Sequence, residues 1–272
     1  MRMNPDYRGK IAFFAKSTKD VFSFFFALAK RSRRTKIFFV LSFLPVFMAF
    51  VVKFSQIFQL GRDIEPIYIF NNMIIAFYLQ FLILILALFY GSSVTSEELE
   101  GKTLTYLTTR PVSKSSIILG KYLAYTVMII FMVTLGVVFS FLVLNLSELR
   151  DLSIYRILFR DVAALALGLM CYTAFFTFIG TVLKKSVMFG LIFSFGWENV
   201  IQYFPGSTQK FTIVHYLKSL LPSVSRGRFS FLLFRLEPSS TATSIFMLFL
   251  IAAVFIVLAC FLFTYKEYIL KD

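Results

Sequence analysis

The chain alternates between long, continuous apolar runs and shorter polar connections. These runs lack the apolar–polar alternation of a half-buried strand, and about 20 apolar residues suffice for a helix to cross the hydrocarbon core of a bilayer. Because only helices and closed barrels satisfy their backbone groups in lipid, the pattern predicts membrane-spanning helices. The six predicted spans are Ile37–Val52 with an extension to Phe58, Ile67–Tyr90, Ile117–Leu144, Ile157–Leu183, Val187–Tyr203 and Ile245–Tyr265.

The composition agrees with this pattern and excludes a soluble domain. Of the 272 residues, 58% are hydrophobic and 37 are Phe, and the mean hydropathy is +0.80. The fifth predicted span differs from the others, since it is short and is interrupted by Gly196, Glu198 and Asn199. The predicted fold class is an all-α integral membrane protein with six transmembrane helices.

The distribution of basic residues predicts the orientation. Residues 1–36 contain ten basic and two acidic residues, and Lys and Arg next to a span favour the cytoplasmic side. With six spans, both termini are then cytoplasmic, and the expected location is the plasma membrane. The connection 204–244 falls outside although it is basic, since long loops follow this trend less strictly. The first apolar run has no small-residue cleavage site and is expected to remain as a span.

The net charge of +14 does not require a nucleic-acid partner. Much of the basic excess lies beside predicted spans, where anionic lipid headgroups attract Lys and Arg. Cys171 and Cys260 both lie inside predicted spans, so no disulfide framework is expected. The single histidine, His215, has no clustered Cys, Asp or Glu in its predicted external loop, so a structural role is expected instead of metal binding or catalysis.

Residues 10–30 predict an amphipathic helix before the first span. At 100° per residue, one arc of this helix is polar and the opposite arc is apolar. Such a helix suits the membrane interface, with its apolar face toward lipid, and packing on another domain is the alternative. The polar arc contains Lys16, Lys19, Asp20, Ser23 and Lys30, and the apolar arc contains Ile11, Phe14, Val21, Phe22, Phe25 and Leu28.

Two polar connections carry local structure signals. In the connection 91–116, Thr95 with Glu98 three residues later is a capping-box pattern and predicts a helix that begins at Thr95. Further signals follow in the same connection: Gly101 as a break, a short helix over 103–109, Pro111 as its end, and Ser113 as the cap of the third span. In the connection 204–244, two apolar stretches are too short to cross and predict re-entrant or interfacial helices on the outer side.

Three motifs lie between residues 92 and 124: Glu-Glu-x-Glu-Gly-Lys-Thr-Leu, Arg-Pro-Val-Ser and Leu-Gly-Lys-Tyr-Leu-Ala. Together they resemble the first cytoplasmic loop of ABC-2 type transporter permeases, and the N-terminal helix and short external helices are also similar to that family. The family commonly has Arg or Lys before the glycine, where this chain has Leu99 and Glu100. The matching positions are Glu97, Glu98, Glu100, Gly101, Thr103, Arg110, Pro111, Val112, Ser113, Gly120, Lys121 and Ala124.

The resemblance implies the permease subunit of an ABC transporter and not an enzyme. ATP and Mg would then bind to a separate ATPase subunit, and no cofactor is expected in this chain. Gly101-Lys102-Thr103 is not a Walker A motif, because Ser96 stands where that motif opens with glycine. A short coupling helix would dock on the ATPase, and packing on the membrane surface is the alternative. The expected docking residues are Glu97, Glu98, Glu100, Gly101, Thr103, Leu104, Tyr106, Leu107, Arg110 and Pro111.

Polar residues inside predicted spans are candidates for a translocation path or for a seam between two permeases. Asn72 and Gln80 are eight residues apart and share nearly one helix face, and Glu198 and Asn199 lie in the fifth predicted span. The alternatives are interhelical hydrogen bonds or, for Glu198, a position at the water boundary.

The predicted function is a permease subunit that couples ATP hydrolysis by a separate ATPase to export of a substrate. Its expected partners are that ATPase, a second permease subunit in a homodimer or heterodimer, and the lipid bilayer. The predicted organisation is a cytoplasmic N-terminus (1–36), a six-helix permease domain (37–265) and a cytoplasmic tail (266–272). An ATP-independent channel or secondary carrier would instead favour discontinuous helices or a chain of intramembrane ionisable residues, and a membrane scaffold without transport stays open.

Overall fold

A computed structural model of the chain describes residues 5–58, 66–100, 113–146, 151–183, 185–201, 207–221 and 239–265. All regular elements in these ranges are helical. Within them, five helices are long and apolar enough to span a membrane: Arg33–Gln56, Pro66–Ser96, Lys114–Leu144, Leu152–Val182 and Thr241–Tyr265. The predicted all-α membrane class is therefore confirmed. The fifth predicted span is a shorter apolar helix, Ser186–Ile201.

The α-helices, in chain order, are α1 Pro5–Arg31, α2 Arg33–Ser42, α3 Leu44–Ile57, α4 Pro66–Met73, α5 Ile83–Glu100, α6 Lys114–Leu144, α7 Leu152–Val182, α8 Ser186–Ile192, α9 Asn199–Ile201, α10 Ile213–Leu220 and α11 Thr241–Tyr265. Two π-helical segments, Ile74–Leu82 and Phe193–Glu198, join α4 to α5 and α8 to α9, and a 3-10 turn, Ser207–Phe211, precedes α10. The first span consists of α2 and α3, and the second consists of α4, its π segment and α5. The third, fourth and last spans are α6, α7 and α11.

Contacts between side chains fix the directions of the spans. Phe70 packs edge-to-face on Phe141, so the start of the second span meets the end of the third, and the two run antiparallel. Ser115 and Thr264 bond at 3.1 Å and join the start of α6 to the end of α11. We call this end of the bundle, where α5 ends and α6 begins, the near end, and the opposite end the far end.

The second and fourth spans form the centre of the bundle. In the most apolar 18-residue stretch of each span, 61% of the second span and 56% of the fourth span is buried. The corresponding shares are 22% in the first span and 17% in the last. Lipid tails are as apolar as Leu, so close packing and interhelical hydrogen bonds must hold the spans together. The first and last spans therefore lie at the periphery, where their exposed Phe and Leu side chains face the surrounding medium.

The N-terminal helix α1 forms where the amphipathic pattern predicts it. Its polar arc is exposed as expected, whereas Thr18, Phe25 and Ala29 are buried. The buried face packs along the near end of α6: a Cβ on Gly120 would lie 2.8 Å from the Thr18 carbonyl oxygen, and Lys121 Nζ lies 4.8 Å from the centre of the Phe25 ring. The helix thus uses part of its apolar arc to contact the third span, which the sequence pattern did not predict.

The substitution Phe25→Leu is expected to loosen α1 from the third span. Leucine keeps an apolar contact but removes the ring face beneath the Lys121 ammonium group, and a desolvated cation–π contact contributes about 2 kcal/mol. Hydrogen exchange of residues 12–31 should become faster by about thirtyfold, which corresponds to about 2 kcal/mol. Phe24→Leu is the matched control, because Phe24 is 63% exposed. Equal exchange in the two variants would contradict the contact.

Candidate functional site

The predicted docking segment begins on a continuous extension of the second span. Helix α5 starts at Ile83 in the buried part of the bundle and continues without a break to Glu100. The backbone of Glu97, Glu98 and Glu100 therefore belongs to the last turns of this helix. The remaining docking residues fall outside the described part of the chain: Gly101, Thr103, Leu104, Tyr106, Leu107, Arg110 and Pro111.

The predicted helix start at Thr95 is wrong. Thr95 lies in the interior of α5, and its side chain is fully buried against the fourth span, where a Cβ on Gly180 would meet Thr95 Oγ1. Because the preceding residues are already helical, no unsatisfied N–H groups of a helix start remain there for the threonine to cap. The capping-box pattern did occur in the sequence, but the tertiary contact decides the structure.

The predicted cap of the third span is confirmed. Ser113 has extended backbone geometry, and its Oγ accepts a hydrogen bond from the Ser116 N–H at 3.2 Å. This satisfies one of the N–H groups that a helix start leaves without an intrahelical partner. The third span thus begins at a fixed residue, Lys114, only fourteen positions after the last residue of α5.

A glycine-lined seam joins the second and fourth spans at the near end. A Cβ on Gly91 would lie 2.8 Å from the Thr173 carbonyl oxygen, and a Cβ on Gly180 would lie 2.9 Å from the Ser92 carbonyl oxygen. Without side chains at these positions, the two backbones approach one another closely, which is how small residues stabilise helix pairs in lipid. The helix that carries the predicted docking segment is therefore fixed directly to the fourth span.

Two of the predicted intramembrane polar residues line one groove. Asn72 and Gln80 lie on the second span and face a cavity of about 420 Å³ whose other wall includes Met48, Ala49 and Val52 of the first span. This agrees with the expectation that residues eight apart share a face. The Asn72 amide nitrogen donates to the Tyr68 carbonyl oxygen at 3.1 Å. The groove is mostly apolar and carries these two amides on one wall.

Glu198 occupies a separate site inside the bundle. Its side chain is 1% exposed, so the alternative expectation of a position at the water boundary is wrong. The Ile213 N–H donates to Oε1 at 3.1 Å and the Val214 N–H donates to Oε2 at 3.3 Å, and the Tyr172 phenol lies beside the carboxyl group. Glu198 thus caps α10 from another helix. Its neighbour Asn199 donates to the Ser194 carbonyl oxygen at 2.9 Å, within the same short helix.

Helix α10 lies among the spans, although it comes from the predicted external connection. Seven of its eight residues are buried, and Leu217 packs against Gly168 of the fourth span. His215 is among the buried residues, and its Nε2 bonds Ser239 Oγ at 3.0 Å. Burial lowers the pKa of His215, and nearby Lys210 lowers it further. The first of the two predicted short helices is confirmed as a helix, and its location on the outer side stays a prediction. The second predicted helix, over 229–236, lies outside the described residues. The structural role expected of His215 also stays a prediction.

Among the described residues of the spans, two buried charged side chains were not among the predicted candidates. Asp161 is fully buried in the fourth span, and among the described residues neither of its carboxyl oxygens has a hydrogen-bond partner; Arg160 Nε lies 3.8 Å away. Lys121 of the third span is 1% exposed and lies over the Phe25 ring. The sequence signal was present, since both residues lie inside predicted apolar runs, where charge is costly.

Cys171 and Cys260 are free thiols, as expected.

The long apolar helices and their burial define a multi-pass membrane protein. The profile of a family described as ABC-2 family transporter protein matches residues 28–197. This match covers more than half of the 272 residues, and the chain belongs to the ABC-2 transporter family. The match includes the first four spans and ends one residue before Glu198. No curated protein matches the chain.

Proposed function

We propose that the chain is the permease subunit of an ABC exporter and that a separate ATPase subunit, which binds ATP and Mg, docks on residues 97–111. The family is a membrane component and is not itself catalytic. The observation that carries the proposal is the continuity of α5, which begins in the buried part of the bundle and reaches Glu100 at the near end. A protein bound there would contact a helix that extends into the centre of the bundle.

We expect ATP hydrolysis to be coupled to transport through α5, because this helix connects the docking segment to the centre of the bundle. A ligand or partner shifts a conformational equilibrium only by contacting one state more favourably than the other. Docking at 97–111 would contact the end of the second span directly and the start of the third span through residues 101–112. The seam at Gly91 and Gly180 would then carry a displacement of the second span to the fourth.

The near end is proposed to be cytoplasmic and the membrane to be the plasma membrane. Exposed basic residues cluster where α1 meets the first span, including Lys30, Arg31, Arg33 and Lys36. Such residues favour the cytoplasmic side when they flank a span. The working unit would contain two permease subunits, identical or related, and the groove with Asn72 and Gln80 would contribute to the substrate path or to the seam between them.

The docking proposal is tested by changing two apolar residues of the docking segment, Leu104 and Leu107. The variant with both Leu104→Asp and Leu107→Asp is expected to weaken association with the ATPase at least tenfold, because charges at a buried contact remove its main anchors. Co-purification of the ATPase with tagged permease measures the effect. Leu152→Asp is the matched control, since Leu152 is 84% exposed at the far end. If the double variant retains the ATPase as well as the control does, docking at this segment is wrong.

A secondary carrier is the second candidate, and Asp161 is the observation that favours it. A fully buried carboxyl group without a hydrogen-bond partner among the described residues is the kind of group that marks an ion or proton pathway in a span. Purified permease in liposomes distinguishes the two. Solute movement without an ATPase, abolished by Asp161→Asn, would support the carrier and contradict the ABC exporter.

A further inference from the structure

Helix α1 presents three faces around its axis. At about 100° per residue, its buried positions, its exposed apolar positions and its exposed basic positions fall on arcs whose centres are about 120° apart. The buried arc contains Thr18, Phe25 and Ala29, the exposed apolar arc contains Phe13, Phe24 and Leu28, and the basic arc contains Lys16, Lys19 and Lys30.

The buried arc holds α1 beside the first turns of the third span. Ser116 Oγ donates to the Phe14 carbonyl oxygen at 3.5 Å. Farther along the helix, the Phe25 ring packs edge-to-face on Tyr125, with 6.5 Å between the ring centres. The predicted apolar run of the third span begins at Ile117, between these two contacts, and such runs fill the hydrocarbon core. Helix α1 therefore lies at the level where the lipid headgroups of the near end meet the acyl chains.

The exposed apolar arc is a surface that the described part of the chain leaves uncovered. Its three side chains are between 51% and 63% exposed, and exposed apolar surface of this kind marks a contact with a partner or with lipid. An apolar arc next to a basic one is typical of helices that lie in the membrane interface. Acyl chains at the level of α1 are therefore the surface that this arc fits.

The basic arc adds a preference among lipids. Within residues 12–31, whose side chains the structure describes, α1 has four basic residues and one acidic residue, Asp20. Arg33 and Lys36 continue the exposed basic surface onto the start of the first span. A basic cluster beside a span is complementary in charge to anionic lipid headgroups. A zwitterionic surface carries no net charge for it to attract.

We propose that α1 binds the anionic phospholipids of the leaflet at the near end. The exposed apolar arc enters the acyl region, and the basic arc contacts the phosphate groups. One helix makes both this contact and the contact with α6, so anionic lipid stabilises the packing of α1 on the third span. The lipid contact does not require a docked ATPase, so the permease alone suffices to test it.

Hydrogen exchange of the full-length permease in nanodiscs measures this stabilisation. One set of discs contains phosphatidylcholine alone, and the other also contains about one third phosphatidylglycerol, which makes the surface anionic. Each lysine near an anionic surface contributes roughly a fivefold factor in binding. Exchange of residues 12–31 is therefore expected to be at least about tenfold slower in the anionic discs. At about 1 M salt, where the Debye length is about 3 Å, most of this difference should disappear.

The variant with Lys16→Gln, Lys19→Gln and Lys30→Gln is expected to lose the lipid dependence, with less than about a twofold difference between the two kinds of disc. The matched control removes three exposed basic residues elsewhere: Arg156→Gln, Lys185→Gln and Lys210→Gln. Both variants lower the formal net charge of +14 by three, so only the position of the charges differs. The control should keep the full difference. Equal exchange of the parent protein in the two discs, or loss of the difference in both variants, would overturn the proposal.

A second measurement tests the apolar arc directly. Spin labels on Phe24→Cys and Ser23→Cys, each combined with Cys171→Ala and Cys260→Ala, report from the apolar arc and from the basic side. In anionic discs, the label at position 24 should be more accessible to oxygen, which concentrates among acyl chains, than to a water-soluble nickel chelate. The label at position 23 should show the reverse.

Two outcomes of these measurements contradict the lipid contact. A label at position 24 that favours the nickel chelate means that the apolar arc does not enter the acyl region. Protection of residues 12–31 that arises only after an ATPase binds, and equally in both kinds of disc, means that the exposed faces of α1 contact that protein and not lipid.

Discussion

Gly180→Ala is expected to destabilise the bundle by about 3 kcal/mol, the upper part of the range for overpacking a dense interior. The added methyl group would meet Thr95 Oγ1 and would lie 2.9 Å from the Ser92 carbonyl oxygen. The second of these atoms belongs to the backbone of a buried helix, so the fourth span must move away from the second. For a chain of this length, the melting temperature in detergent should fall by roughly 6 to 12 °C.

Gly196→Ala is the matched control for this substitution. Apart from its own helix backbone and chain neighbours, no atom of the described residues lies within 4 Å of a Cβ placed on Gly196, and alanine favours helical geometry over glycine by about 1 kcal/mol. This variant should melt at or slightly above the temperature of the parent protein, measured by circular dichroism at fixed detergent concentration. If Gly180→Ala melts with the control, the spans do not approach as closely as the structure shows.

The spans were predictable because each is a local property of the sequence. A run of about 20 apolar residues is long enough to cross a bilayer whatever its neighbours are, and the runs around Ile117–Leu144 and Ile245–Tyr265 correspond closely to α6 and α11. The cap at Ser113 was predictable for the same reason, since a side chain that bonds an N–H three residues later needs no tertiary partner.

The prediction at Thr95 failed because a local signal competed with a contact from a distant residue. Gly180 lies 85 positions later in the chain, and its lack of a side chain makes room for Thr95 in the interior of α5. Nothing within the connection 91–116 indicates this partner. The helix extends farther than predicted, which is the feature that links the bundle to the proposed docking segment.

The role of Glu198 could not be derived from its position in the sequence. Its two carboxyl oxygens accept hydrogen bonds from the N–H groups of Ile213 and Val214. These bonds form only because α10 folds back among the spans. The apolar stretch that forms α10 predicted a short helix but not where the helix would lie. By contrast, Asp161 and Lys121 are charged residues within predicted spans, and the rule that such residues are costly and functional applies to both from the sequence alone.

The short helix Ser186–Ile201 and α10 contact one another through Glu198. Ser186–Ile201 is shorter than the other apolar helices, and its far portion is π-helical through Glu198. The carboxyl group of Glu198 accepts a hydrogen bond from Ile213 at the start of α10. One carboxyl group therefore joins the two short helices. A substitution at Glu198 therefore tests whether α10 belongs to the packed bundle.

Glu198→Ala is expected to release α10 from that joint and to destabilise the protein by about 4 kcal/mol. Each buried backbone N–H left without an acceptor costs about 1 to 3 kcal/mol, and the variant leaves those of Ile213 and Val214. The Tyr172 phenol also loses its neighbour. Hydrogen exchange over residues 207–221 should increase more than anywhere else in the described part of the chain, and mass spectrometry of peptides from that region measures it.

Glu198→Gln separates the hydrogen bonds from the shape of the side chain. The amide oxygen can accept from one N–H but the amide nitrogen cannot accept from the other, so about half of the destabilisation is expected. Val200→Ala controls for the helix itself, because Val200 is 50% exposed on the same short helix. If Glu198→Ala leaves the exchange of residues 207–221 at the level of the Val200→Ala control, the carboxyl group does not hold α10. In that case α10 would have to be retained by its apolar contact with Gly168 instead.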